Sequence, residues 1–388
     1  MEEKQLLIAS VTEAINQFKQ FTIAHHKLLE VLYRLEYINL SSNQEKVIVL
    51  TGPTGVGKSR LVDRLSSMIT KRYESEMRTD PGFIPVVTLR VPSPTGGGEF
   101  NWKDGFIRIL EQLNEPLIRR KVIQSPIIEL DGEHVAGTRK LVKEELRRSV
   151  RNCFKQRNTK LLIIDEASHL LISKYGSNFY QQFELIKSLS QDFGIPLLLS
   201  GAYDLLDIQE YNGQLIRRTE VIHFPRYSWA EVSDIGNPAG QSFRDAVHTF
   251  LSKIPIDKED GLLEEMDYLY LGSLGCVGLL KDWLQDAYEK ALYSHDRILT
   301  RQILADSIRS NAELKHIASE IREGEDRLKD IPALALTEIL GMEEVPKLCK
   351  AVTDPSPYKS QPKQSPEKPK TRGRRPGARN PGRDKVGG

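Results

Sequence analysis

Cysteine is scarce in this chain of 388 residues. Cys153, Cys276 and Cys349 are odd in number, far apart and never arranged as C-x-x-C, which argues against a disulfide framework and a zinc site. No run approaches the ~18 continuous apolar residues of a membrane span, and the N-terminus lacks the basic-then-apolar layout of a signal peptide. The expectation is an intracellular protein with no membrane partner. The pair His25-His26 has no metal-ligand spacing, and a solvated helix surface is its expected place. Neither a helix-turn-helix signature nor a nuclease carboxylate cluster is present.

Charge is nearly balanced, at a formal +2, but unevenly spread. From Lys359 onward ten Lys or Arg stand against two acids, so about +8 sits on the last thirty residues and about −6 on the rest. That stretch is dense in Pro and Gly and almost free of large apolar residues, so it is expected to be disordered. Its arginines, Arg372, Arg374, Arg375, Arg379 and Arg383, suit phosphate-backbone contact or docking on another protein. A merely solubilising tail is the plain alternative.

Residues 52–59 read GPTGVGKS, the pattern G-x-x-x-x-G-K-[ST], directly after the apolar run Val47-Ile48-Val49-Leu50. Strand, glycine loop and helix in that order make a P-loop. Gly52, Pro53, Thr54, Gly55, Val56 and Gly57 would form a loop that folds its backbone N–H groups, which Pro53 lacks, into a nest around phosphates, and Lys58 would reach the β- and γ-phosphates. The Ser59 hydroxyl would ligate Mg²⁺, and Arg60 follows in the helix whose positive dipole end faces the same anion. About a hundred residues on, Leu161-Leu162-Ile163-Ile164 closes with Asp165-Glu166, the hydrophobic-then-acidic form of a Walker B strand. Asp165 is the candidate for the Mg²⁺ shell and Glu166 for the general base acting on water. ATP and Mg²⁺ are the cofactors these motifs call for.

Length allows roughly two domains. Helices and short buried strands alternate through residues 46–224, which predicts an α/β fold, a parallel sheet flanked by helices. Apolar spacing predicts helices within 5–40, 58–74, 101–113, 138–157 and 179–191, and strands at 85–91, 195–200 and 221–224. A polar residue ending the strand at 195–200 would lie beside both phosphate motifs. Ser200 is the candidate sensor, unless Ala202 occupies that place and is silent. Arg217 and Arg218 precede the last strand, where an arginine finger would reach a neighbouring subunit's γ-phosphate; a surface charge pair is the rival reading.

These parts in this order resemble the AAA+ ATPases, and within them the TnsC/TniB group of transposition regulators of CRISPR-associated and related transposons. The resemblance rests on GPTGVGKS at 52–59, PSPTGGG and FNWKDGFIRIL within 92–110, LLIIDEASHL at 161–170, IPLLLSGAYDLL at 195–206, QLIRRTEVIHFPRY at 214–227 and GSLGCVGLLKDWL at 272–284. It implies an AAA+ P-loop core at 46–227, an N-terminal helical segment at 1–45, a helical lid with C-terminal helices at 228–345 and a basic tail at 346–388. It further implies a cytoplasmic, nucleoid-associated prokaryotic ATPase that binds duplex DNA as a homo-oligomeric filament or ring. Such a protein links a target selector, TniQ/TnsD-like or a CRISPR effector complex, to transposase subunits. DNA contact in that group comes from the surface after the second strand, which points to Lys103, Arg119, Arg120 and Lys121; a solvated basic helix edge explains them nearly as well. Many AAA+ lids carry a sensing arginine where this chain has Gly278 and, one turn on, Lys281, a departure that fits slow hydrolysis used for assembly and disassembly. A helicase loader or DNA motor, and a nucleotide-gated signalling switch without DNA, are the alternative functions.

Overall fold

Five strands of five residues each form one parallel sheet: β1 (Val47–Thr51), β2 (Val86–Arg90), β3 (Leu161–Asp165), β4 (Leu197–Gly201) and β5 (Thr219–His223), in the order β2-β3-β4-β1-β5. The computed structural model describes residues 2–41, 46–93, 100–116, 118, 134–171, 178–207, 219–330 and 332–342. The three central strands are buried along their whole length, which is why they read as unbroken apolar runs rather than alternating ones. Alternate residues still choose sides. Val47, Val49, Leu162, Ile164, Leu197 and Leu199 face one hydrophobic cluster, while Ile48, Leu50, Leu161, Ile163 and Leu198 face another.

Helices fill both faces. α1 (Glu2–Gln20), α2 (His26–Ser41), α3 (Lys58–Arg72) and α4 (Glu74–Thr79) come first, with α5 (Trp102–Gln112) following β2. α6 (His134–Gln156) leads into β3, and α7 (Ser168–Leu171) and α8 (Asn178–Phe193) lead into β4. α5, α6 and α8 close one face through Trp102, Phe106, Leu146, Phe154, Ile186 and Phe193. α2 and α3 close the other through Leu28, Leu32, Leu35, Leu61, Leu65 and Ile69. Each such buried side chain contributes roughly 1.5–3 kcal/mol relative to exposure, so the sheet and its two helical layers hold the strand ends rigidly.

After β5 the chain turns helical: α9 (Trp229–Ser233), α10 (Pro238–Lys253), α11 (Met266–Ser273), α12 (Val277–Tyr293), α13 (Arg301–Ser307) and α14 (Asn311–Arg327). A short parallel pair, β6 (Asp257–Lys258) with β7 (Ile298–Leu299), adds a small sheet that the purely helical expectation for this region did not include. Phe243, Phe250, Trp283, Leu284 and Tyr288 form its core, joined by Phe18 of α1.

The predicted helices and strands are all present with ends shifted by a few residues. The helical stretch predicted over 5–40 is two helices parted at residues 21–25. The chain divides into two compact units, Met1–Lys329 and Asp330–Gly388. In the second, the described part is one short helix, α15 (Ala333–Ile339). The basic stretch from Lys359 onward lies outside the described residues. No helix among the described residues is long and apolar enough to cross a membrane.

Candidate functional site

In a parallel α/β sheet, ligands gather beyond the carboxyl ends of the strands. There β1 runs into the 52–59 loop and β3 ends on Asp165, with β4 between them. The loop keeps its shape through two left-handed residues, Gly55 (φ 76°) and Gly57 (φ 109°), a region L side chains rarely enter. Gly57 also caps α3 with no side-chain hydrogen bond, so the first N–H groups of that helix remain available to an anion.

Lys58 runs back under the loop, and its Nζ donates to the carbonyls of Gly52 at 2.8 Å and Pro53 at 2.9 Å. Burial pushes its pKa down to about 8, against nearby acids that include Asp165, Asp204 and Glu320. Ser59 is exposed at the start of α3, and Arg60 beside it is exposed too.

Asp165 is 2% exposed, and its Oδ2 accepts no hydrogen bond; the Arg90 guanidinium is 3.9 Å away, itself committed to Asp63 at 2.7 Å. An orphaned carboxylate oxygen at this depth fits a cation ligand. Among the described residues no three His, Cys, Asp or Glu gather to hold a metal by protein groups alone. Mg²⁺ needs no such cage, since one carboxylate, a hydroxyl and substrate phosphates suffice.

Glu166 takes a left-handed backbone (φ 56°), uncommon for a residue other than glycine, and its side chain points out, about half exposed. His169 Nδ1 lies 3.4 Å from Glu166 Oε2 and 3.1 Å from the Val91 carbonyl. The turn around Glu166 is fastened to the end of β4. Ala167 N–H donates to Ser200 O at 2.8 Å, Ser168 Oγ to Asp204 Oδ1 at 2.6 Å, and Ala202 N–H to Ser168 Oγ at 2.9 Å. Ser200 itself is fully buried, its Oγ without a hydrogen bond.

A cavity of about 330 Å³ opens beside the loop, between residues 22–28, the start of α3 and the start of α12. Ile23, Leu28, Val56 and Val277 give it apolar walls, and Arg60, Arg64 and Lys281 a basic margin. Its size and lining suit a flat heterocycle. The α12 helix closes on the loop itself: Leu279 N–H donates to Gly55 O at 3.1 Å, and a Cβ on Gly278 would lie 2.3 Å from that oxygen. Lys281 Nζ donates to Lys19 O at 2.6 Å. At the place where the resemblance implies a sensing arginine, the chain has a glycine that lets α12 and the loop touch.

His25 corrects an expectation. It is buried rather than solvated, with Nδ1 3.0 Å from the Tyr227 hydroxyl, and burial pushes its pKa down to about 4. Position decides this: it stands in the turn before α2, where the chain enters the cavity wall, while His26 stays exposed. Lys103 is exposed on the first turn of α5. Arg119, Arg120, Lys121, Arg217 and Arg218 lie outside the described residues. Sequence reading missed Arg226 and Glu325, which bind each other 99 positions apart; no motif marks such a pair.

Residues 41–209 match the family described as "AAA domain". A comparison with curated protein sequences gives no match. Solved structures similar to this chain include the Aeropyrum pernix ORC1 protein in complex with DNA, at 14% identity and TM-score 0.48 over 83% of this chain and 73% of that one. The Aeropyrum pernix ORC2 protein is similar at 17% identity and TM-score 0.45, over 83% and 77%. Domain III of the Thermotoga maritima replication initiation protein DnaA is similar at 10% identity and TM-score 0.42, over 76% and 97%. The segment 41–209, with its glycine loop and its carboxylate-ended strand, is the part of the chain that matches the AAA domain, and it is built as an α/β fold with a parallel five-stranded sheet.

Proposed function

We propose that this protein is a Mg²⁺-dependent ATPase that assembles on duplex DNA and regulates DNA transposition. One observation carries the ATPase reading: the P-loop lysine beyond β1 and an unsatisfied, buried Asp165 at the end of β3 flank the end of β4, with Glu166 turned outward beside them. Lys58 exchanges its two loop carbonyls for phosphate oxygens, and the N–H nest and α3 terminus hold the same charge. Asp165 and Ser59 are the residues that would hold Mg²⁺, which would supply positive charge to offset that of the phosphates. Water attacks the γ-phosphorus, the bond to the β-bridging oxygen breaks, and Glu166 accepts the water's proton. Ser200 or the adjoining end of β4 reports on the γ-phosphate through the turn it shares with Glu166. The cavity lined by Ile23, Leu28 and Val277 takes the base.

Arg217 or Arg218 completes the site of a neighbouring copy, so that ATP joins subunits and hydrolysis parts them. Lys103, Arg119, Arg120 and Lys121 contact DNA phosphates, which position a protein without reading sequence. The transposition role, with a transposase and a target selector as partners, is supported by the motif resemblance at 92–110, 195–206, 214–227 and 272–284. Electron microscopy of the purified protein with duplex DNA tests the whole reading, using ATP, a slow analogue, ADP and Lys58→Ala. Filaments or rings that need both DNA and triphosphate and vanish in the variant are expected. Particles indifferent to DNA would turn the assignment to a nucleotide-gated switch, and rapid DNA-stimulated turnover to a motor or loader.

A further inference from the structure

The last helix of the first unit, α14, folds back over the turn that follows β4 and onto Arg226 after β5. Ile321 is buried in the cluster that holds Val56 of the loop, Phe224 after β5 and Leu279 of α12. Gly324 presses against the Tyr203 ring so closely that a Cβ would fall 2.1 Å from it. Arg327 donates to Asp207 Oδ1 at 2.6 Å. Glu325 takes two bonds from Arg226, at 2.9 Å to Nε and 3.1 Å to Nη2, the bidentate pairing that gives arginine–carboxylate contacts their strength and direction.

Arg226 stands where loop and lid meet. Two residues before it, the Phe224 carbonyl packs on Gly52, at 2.4 Å from where a Cβ would be. Its own Nη1 donates to Leu274 O at 3.3 Å, just ahead of the turn that sends α12 onto Gly55. Glu320, one residue before Ile321, is among the acids felt by Lys58. α14 thus pairs Glu325 with an arginine two residues beyond the Phe224 that packs on Gly52, and it carries Glu320, whose charge Lys58 feels.

We propose that α14 is an autoinhibitory strap, an internal competitor of the triphosphate. Arg226 has the same bidentate geometry to offer a terminal phosphate as it offers Glu325. The γ-phosphate takes Arg226 over and repels Glu320, and α14 leaves. A diphosphate lacks that third group and leaves the strap docked, which supplies the differential affinity any ligand-driven shift requires. The inference rests on the nucleotide-site reading above.

Hydrogen–deuterium exchange on the full-length protein with Mg²⁺ tests it, comparing no nucleotide, ADP and adenylyl imidodiphosphate. The expected result is protection of 52–59 by both nucleotides and at least tenfold faster exchange of 311–327 with the imidodiphosphate alone. No protection of 52–59 by either nucleotide would sink the nucleotide site itself. Protection there with 311–327 unchanged or slowed would overturn the strap and leave the site standing. Glu325→Gln supplies a second readout, because a neutral amide keeps the size of the side chain but not its charge. It should tighten binding of the imidodiphosphate about tenfold and leave ADP unchanged; an equal gain for both, or none, overturns the proposal.

Discussion

The backbone N–H of Leu279 donates to the carbonyl oxygen of Gly55 across 3.1 Å, so the first turn of the lid helix rests on the tip of the P-loop. Residue 278 makes that contact possible by having no side chain. The loop and the start of α12 are thus tied to each other, and Val277, two residues before Leu279, lines the neighbouring cavity.

Gly278→Ala should force α12 off the loop. Overpacking of this kind costs about 1–3 kcal/mol. Thermal unfolding should show a lowered melting temperature, and titration with a fluorescent nucleotide a weakened affinity. A variant that melts and binds like the parent would show that the contact carries no weight.

Lys58→Ala and Glu166→Gln should separate binding from chemistry. The first removes the ammonium under the loop and should abolish triphosphate binding. The second keeps the fold of the turn but cannot accept a proton, so nucleotide should still bind while turnover falls by about 10²–10⁴-fold. Equal loss of binding in both variants would contradict the roles given to them.

Acid should loosen the molecule before its carboxylates titrate. Burial pushes both His25 and His223 down to about 4, from an ordinary value of 6.5. Between those pH values the unfolded chain binds more protons than the folded one, so this share of stability is whole above 6.5 and is lost as pH falls toward 4. For His25 it is at most about 3 kcal/mol. Melting temperatures from pH 7.5 to 5 should fall, and His25→Gln should flatten the slope; an unchanged slope would remove His25 as a contributor.

How much of this was legible beforehand followed from locality. The loop at 52–59 and the strand ending in Asp165-Glu166 are local patterns with local causes, so residue types and their order announce them. The three central strands could be read because burial on both faces leaves continuous apolar runs, while the edge strands β2 and β5 are only partly buried. What the sequence concealed depends on residues far apart in the chain. His25 is buried by Tyr227, Gly278 is explained by Gly55, and Arg226 is partnered by Glu325. Amphipathic spacing marks α14 as a helix but does not say that its Ile321 joins the cluster that holds Val56.

DNA affinity, if it follows phosphate contacts, should fall steeply with salt. Lys103→Glu should weaken binding to all duplex sequences alike and lower the salt slope by about one. Ending the chain before Lys359 tests the basic stretch. Lost affinity would assign it to DNA, and intact assemblies that fail to recruit transposase would assign it to docking.

The sheet order has a consequence for how the molecule comes into being. β1 and β3 carry the two halves of the phosphate site, yet they do not touch; β4 pairs with both and is made after both. A nascent chain stopped short of Leu197 holds every phosphate-binding residue named here apart from Ser200, the Arg217-Arg218 pair and Arg226, and still has no β4 to bridge the strands that carry Lys58 and Asp165. Assembly of the site is thus a late, long-range event, slow for the reason that closing large loops is slow. It also gives the ribosome a natural checkpoint: ligand capture can begin only once the strand that bridges the two motifs has emerged.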